Sequence, residues 1–323
     1  MAGRLASQPF FVLLTGIGAV AMLVPAALAL NGDDFLTAQA FFYGAVLFSI
    51  VAWLIAVAMN RRDGFADARG QLLALLAAFA LLPLMFALPL WLTLPRVGLV
   101  DAWFEMVSSF TTTGATIFDS PARAPPAVHL WRALVGWLGG LLMWIAALAV
   151  FAPMAIGGFE VRGTAERVVA GQGDASSAPA ARLARYAGAL IPIYAGLTAV
   201  LWFCLTLLGD SPLVALCHAM SVMATSGISP VGGLGETASG IGGEVVIALF
   251  FLFALSRMTF GRDLGGEERI RLRDDPELQM AAAFVLGVTA LLFLRHWLGA
   301  TETSDLGEGL AALGGGSSPS CRF

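Results

Sequence analysis

Apolar residues recur along this chain in runs too long for the one-sided stripe of a soluble amphipathic helix. Seven runs stand out, at about 10–30, 40–59, 71–94, 130–152, 186–208, 242–260 and 278–298. Each approaches the twenty or so residues that cross roughly 30 Å of hydrocarbon as an α-helix. The pattern therefore predicts an all-α polytopic membrane protein with seven transmembrane helices. The first run follows Arg4 and ends in AALAL. It exceeds the 7–15-residue apolar region of a secretory signal, so it is expected as a first transmembrane helix rather than a cleaved leader.

Polar positions between the runs alternate in character. Arg4 precedes the first run, and the second connection holds Arg61, Arg62 and Arg69. Arg162, Arg167, Arg182 and Arg185 lie in the 153–185 connection, and Arg257, Arg262, Arg269, Arg271 and Arg273 in 257–277. The alternate connections carry mostly acids: Asp33 and Asp34, then Asp101, Glu105 and Asp119, then Asp210, Glu236 and Glu244. Basic loops stay on the cytoplasmic side, which predicts an inner-membrane protein with a cytoplasmic N-terminus. Trp91, Trp131 and Trp297, near run ends, read as interfacial anchors.

Two of the acidic connections, 95–129 and 209–241, hold more than a turn. Each contains a short apolar segment followed by hydroxyl residues and glycine. VDAWFEMVSSFTTTGATI aligns with LVALCHAMSVMATSGISP, bringing Ser108 to Ser221 and Gly114 to Gly227. The flanking runs repeat too, and the small, polar stretch GTAERVVAGQGDASSAPA (163–180) divides the copies as a flexible linker. The predicted organisation is an N-terminal helix pair (1–70), a first repeat (71–155), a cytoplasmic linker (156–185) and a second repeat (186–262). A loop with the first helix of a third repeat (263–299) and an aberrant tail (300–323) complete it.

Irregular backbone at membrane depth survives only where protein buries it or it lines a water-filled cavity. A short helix that turns back through Thr-Thr-Thr-Gly suits the second case, because its carbonyl oxygens can replace the hydration shell of an ion, as in potassium-channel filters. Glycine lets the backbone visit conformations closed to residues with a Cβ. Oxygen ligands without carboxylates favour a weakly held monovalent cation over a divalent one. The candidate ion-binding segments are the hydroxyl-rich stretch ending at Gly114 and its counterpart ending at Gly227. Glu105, Ser108, Arg132 and Ser221 are candidate supports. Glu105 reads either as a group that concentrates cations or as a first-turn acid that complements its helix dipole, the second being favoured. Arg132, at the start of the following helix, reads equally as a snorkelling side chain or as a brace for the loop.

Composition agrees and excludes several classes. The chain has 323 residues, 58% hydrophobic and 12% charged, against about 25% charged in soluble domains; the mean hydropathy is +0.83. Cys204, Cys217 and Cys321 lack metal-ligand or disulfide spacing, and His129, His218 and His296 are scattered. His218 is expected to be packed and hydrogen-bonded. GGLGETASGIGG (232–243) lacks the strand and βαβ context of a nucleotide loop. No cofactor is expected beyond a transported ion. A polytopic enzyme would need acids, histidines or nucleophiles converging at one depth, and the runs hold almost none.

VDAWFEMVSSFTTTGAT followed by LWRALVGWLGGLLMWIAALAVFAP (101–153 most specifically) resembles the first pore repeat of TrkH-type subunits of the Trk/Ktr/HKT potassium transporter superfamily. The resemblance covers 1–298. It implies four helix–re-entrant loop–helix repeats around one pore, preceded by a helix pair. It also implies potassium uptake, and a homodimer on cytosolic nucleotide-binding regulatory subunits. Carried onto this sequence, the resemblance implies a first ion-binding filter segment of Thr112, Thr113, Gly114 and Ala115 and a second of Thr225, Ser226, Gly227 and Ile228. LFALSRMTFGRD departs from the family, where a smaller, more polar turn is expected. A third loop, a gate and a fourth repeat are not found. The tail LGEGLAALGGGSSPSCRF is expected to reflect a shift of reading frame near 313, or a sequencing error there. A non-conducting remnant of such a transporter is therefore the alternative to a potassium uptake pore.

Overall fold

The computed structural model describes residues 10–59, 68–148 and 179–255, and nine positions between 279 and 291. The 257–277 connection, most of the linker, the rest of the seventh run and the tail lie outside the described residues.

The described secondary structure is helical, without a strand. Helix α1 (Phe10–Ala21) and α2 (Leu23–Asn31) are one apolar run with a break at Met22. The ladder continues across it, from Met22 N–H to Gly18 O and Ala26 N–H to Met22 O. Pro25 explains the break, since it lacks an N–H and its ring crowds the carbonyl four residues earlier. Helix α3 spans Phe35–Met59. It starts five residues before the predicted run because Asp34 caps it: its Oδ1 accepts the Thr37 N–H at 3.1 Å and its Oδ2 the Thr37 hydroxyl. Helix α4 (Ala68–Thr93) carries Pro83 and Pro89 internally.

A short helix, α5 (Leu99–Phe110), follows, its Gly98 N–H bound to the Asp101 carboxylate at 3.3 Å. Helix α6 runs Pro126–Ala146 and α7 Pro179–Leu207. Short α8 is Pro212–Met223, and α9 is Gly240–Leu255. Proline stands at the first position of α6 and α8, where its missing N–H costs nothing and its φ is already helical. Helix α7 begins inside the predicted linker, because PAARLA offers that start and good helix formers after it.

Five helical stretches are long and apolar enough to cross a membrane: Phe11–Asn31, Phe35–Ala58, Leu72–Thr93, Pro126–Ala146 and Arg185–Leu207. They match the first five predicted runs. The sixth run is helical as far as Leu255, and the described positions of the seventh are helical.

The core of the N-terminal half is aromatic. Trp131 of α6 is fully buried, which corrects the expectation of an interfacial anchor. Its ring meets Phe41 and Phe86 edge-on at 5.5 Å each, and Phe86 meets Phe110 at 5.6 Å. The indole N–H donates to the Phe86 carbonyl at 3.1 Å. Its position is physical: as the sixth residue of α6, Trp131 lies where α6 meets α3, α4 and α5, and the indole finds a carbonyl there rather than headgroups. This cluster ties the N-terminal helices to the end of α5, and so fixes where the following loop begins. Trp131→Ala should lower stability by about 3–5 kcal/mol, read as a fall in Tm of the purified protein in detergent. Trp91→Ala, at a side chain 40% exposed, should change it little.

Candidate functional site

Helices α5 and α8 each end in the same way. After Phe110 the chain leaves the helix through Thr111 N–H to Val107 O at 2.9 Å, Thr112 N–H to Ser109 O at 3.0 Å and Thr113 N–H to Ser108 O at 2.9 Å. After Met223 the matching bonds run from Ala224 to Met220 O at 3.0 Å, Thr225 to Val222 O at 3.0 Å and Ser226 to Ser221 O at 2.9 Å. The backbone then turns left-handed at equivalent places: Thr112 (φ 56°) and Gly114 (φ 76°), Thr225 (φ 52°) and Gly227 (φ 67°). Glycine takes such angles freely, whereas a β-branched threonine is strained there by about 1–3 kcal/mol. The same strain at the same register in two copies is a property of the repeat.

The loops lie against each other. A Cβ on Gly114 would collide with the Ser226 carbonyl oxygen, so only glycine permits the approach. Both also rest on α6. A Cβ on Gly139 would strike the Phe110 carbonyl, one on Gly140 would sit 3.1 Å from Ala224 Cα, and one on Gly136 would lie 3.2 Å from Ile228 Cδ1. Three glycines on one helix thus let the backbones of both loops approach, the small-residue packing usual in membranes. None of the three had been singled out from sequence. Their signal was the G-x-x-G-G spacing in GWLGG, which places them on one face of a helix.

Hydroxyls and carbonyls dominate the first loop. The Ser108 hydroxyl donates to Ala115 O at 2.7 Å, and the Thr111 and Thr113 hydroxyls lie 2.9 Å apart. In the second loop Ser226 Oγ donates to Ser221 Oγ at 3.2 Å, so Ser221 meets a hydroxyl where Ser108 meets a carbonyl. Thr113, Ala115, Thr225 and Gly227 are exposed, while Ser226 and Ile228 are buried. Among the described residues no three His, Cys, Asp or Glu side chains converge. The donors on offer are therefore uncharged oxygens, suited to a hard cation.

Behind the first loop sits a buried ion pair. Glu105 belongs to the second turn of α5, since Asp101 occupies the first, and it is fully buried. The expected first-turn dipole role therefore does not apply. Glu105 Oε1 stands 2.5 Å from Arg132 Nε, while Oε2 accepts the Ile117 N–H at 2.9 Å and the Thr116 hydroxyl at 3.2 Å. Arg132 is in the second turn of α6 rather than at its start, and equally buried. Its Nη1 donates to His129 Nδ1 at 3.4 Å, and His129 Nε2 donates to Pro121 O at 2.9 Å. The guanidinium also lies over the Phe118 ring at 5.4 Å. Of its two readings, Arg132 has the geometry of a brace: it neutralises the carboxylate that holds the chain just after Ala115.

No family model matches the chain. Over 185 residues, 57% of its length, it is 32% identical to the Trk system potassium uptake protein TrkI of Halomonas elongata. Over 288 residues, 85% of its length, it is 27% identical to the Trk system potassium uptake protein TrkH of Salmonella typhimurium. The chain is similar to Trk system potassium uptake proteins. The matched stretches are 35% and 56% of those two proteins, so the chain spans about half the length of the relatives it matches. The crystal structure of the potassium transporter TrkH from Vibrio parahaemolyticus superposes with a TM-score of 0.76 over 97% of this chain and 62% of that one, at 23% identity. The architecture is thus the all-helical membrane fold of TrkH, and the Trk relatives are uptake proteins by name, not enzymes.

Two consequences can be measured. Glu105→Ala and Arg132→Ala should each cost about 3–5 kcal/mol, because each strands a buried charge. The double variant should lose clearly less than the sum, and strict additivity would show that the two do not interact. Gly139→Ala should lower Tm although it adds one methyl group, whereas Gly188→Ala, where the added Cβ meets nothing within 4 Å, should not.

Proposed function

We propose that this chain is a pore-forming potassium uptake subunit of Trk type. In this reading potassium ions pass Thr112, Thr113, Gly114 and Ala115 on one side and Thr225, Ser226, Gly227 and Ile228 on another, held by backbone carbonyls. The observation that carries it is the matched left-handed pattern at Thr112/Gly114 and Thr225/Gly227, with Gly114 against the Ser226 carbonyl. Strained backbone of this kind costs stability and persists where function uses it. Uncharged oxygen donors and relatives that are potassium uptake proteins by name fit the same cargo.

Several further features belong to this proposal. The loops are re-entrant, each lowered into the bilayer by its short helix, and the arginine pattern sets the N-terminus in the cytoplasm of the inner membrane. The two loops contribute two sides of a pathway, and pairing of two chains would bring four such loops together. The resemblance suggests a homodimer of pore subunits and a cytosolic nucleotide-binding regulator. Glu105, Ser108, Arg132 and Ser221 support the loops without touching the ion.

The test is growth of a potassium-uptake-deficient bacterium at micromolar potassium, with rubidium influx measured in the same cells. The native chain should restore both. Gly114→Val should abolish influx while the protein still reaches the membrane, since its side chain meets the Ser226 carbonyl. Undiminished influx in Gly114→Val would rule the loop out as the pathway.

A further inference from the structure

The far ends of the two loops are tied down by different chemistry. In the register that pairs Ser108 with Ser221, Glu105 falls opposite His218 and Thr116 opposite Ser229. Glu105 accepts the Thr116 hydroxyl. His218, on α8 and only 2% exposed, has its Nε2 at 2.9 Å from Ser229 Oγ. That same oxygen accepts the Gly233 N–H at 3.0 Å and the Val231 N–H at 3.3 Å. A hydroxyl oxygen has two lone pairs and one proton. With both lone pairs engaged by backbone amides, Ser229 can offer the imidazole only its proton. Nε2 is then the acceptor, and the ring proton resides on Nδ1. Nδ1 itself has no hydrogen-bond partner among the described residues.

We infer that His218 is the positioning residue of the second loop, a neutral acceptor in the Nδ1–H tautomer that orients Ser229 to gather the Val231 and Gly233 amides. It fills the place Glu105 fills in the first loop, accepting a hydroxyl proton from the residue two positions past the left-handed glycine, Thr116 after Gly114 and Ser229 after Gly227. A neutral acceptor needs no buried cation beside it, whereas the Glu105 carboxylate needs Arg132. On the reading proposed above, one side of the ion pathway is thus backed by an ion pair and the other by an uncharged bond.

The experiment uses the full chain in lipid nanodiscs, with the nitrogens of its three histidines labelled with ¹⁵N and His218 assigned by its loss in His218→Gln. The His218 resonances should show the Nδ1–H tautomer; an Nε2–H pattern overturns the inference. Hydrogen exchange of peptides covering 225–233 gives a second readout. His218→Gln, whose amide oxygen can stand near the Nε2 position, should keep wild-type protection. His218→Asn, which is too short, should speed exchange there by about tenfold and leave 111–118 unchanged. Equal exchange in all three forms, or equal acceleration in both variants, overturns it. If His218→Asn does not fold, Ser229→Ala takes its place, and unchanged exchange of Val231 and Gly233 overturns it. In cells, KM for rubidium should rise in His218→Asn and return in His218→Gln. Should the native chain carry no rubidium, the transport reading fails, while tautomer and exchange still decide the role of His218.

Discussion

A carboxylate and a guanidinium shut away together set the terms for the rest of the site. Neither Glu105 nor Arg132 could be buried alone, because an isolated charge in a low-dielectric interior loses several kcal/mol of hydration. Together they join α5 to α6, and the remaining oxygen of Glu105 holds the chain after Ala115 at Thr116 and Ile117. The left-handed Thr112 and Gly114 sit between this anchor and the helix end. Strain of that kind cannot persist in a segment free to relax, so the anchor is what makes the loop conformation affordable. His129 and Phe118 extend the hold from Arg132 to Pro121.

Helix α6 carries most of the organisation. One face presents Trp131 to the aromatic core of the N-terminal half, and another presents Gly136, Gly139 and Gly140 to both loops. The two needs differ: the first calls for a large ring with a polar edge, the second for no side chain at all. Arg132 stands between them in sequence. A single helix therefore sets the depth of both loops relative to the core, and displacement of α6 would shift them together.

Much of this was legible in the chain. The first five apolar runs became helices, because unbroken hydrophobicity at membrane length leaves the backbone few other solutions. The loops were legible from the paired Ser and Gly positions. What could not be read was where side chains would point. Trp131 looked interfacial from its place near the end of a run, yet the fold packs helices around that position. Glu105 looked like a first-turn acid because the helix start at Leu99 was not fixed in advance, and a shift of one turn moves it from solvent to core. His218 lay opposite Glu105 in the alignment from the outset. Its equivalence emerged only with the bond to Ser229, because a histidine and a glutamate share no sequence signature, only the ability to accept a proton.

The contact between Gly114 and the Ser226 carbonyl bears on how the two loops can move. Two loops separated by a gap could each flex alone. Loops that touch backbone to backbone have no such freedom: when one retreats, the other loses its support or must follow. The loops therefore meet in a seam rather than as two independent lips, and its shape is set jointly by residues far apart in the chain.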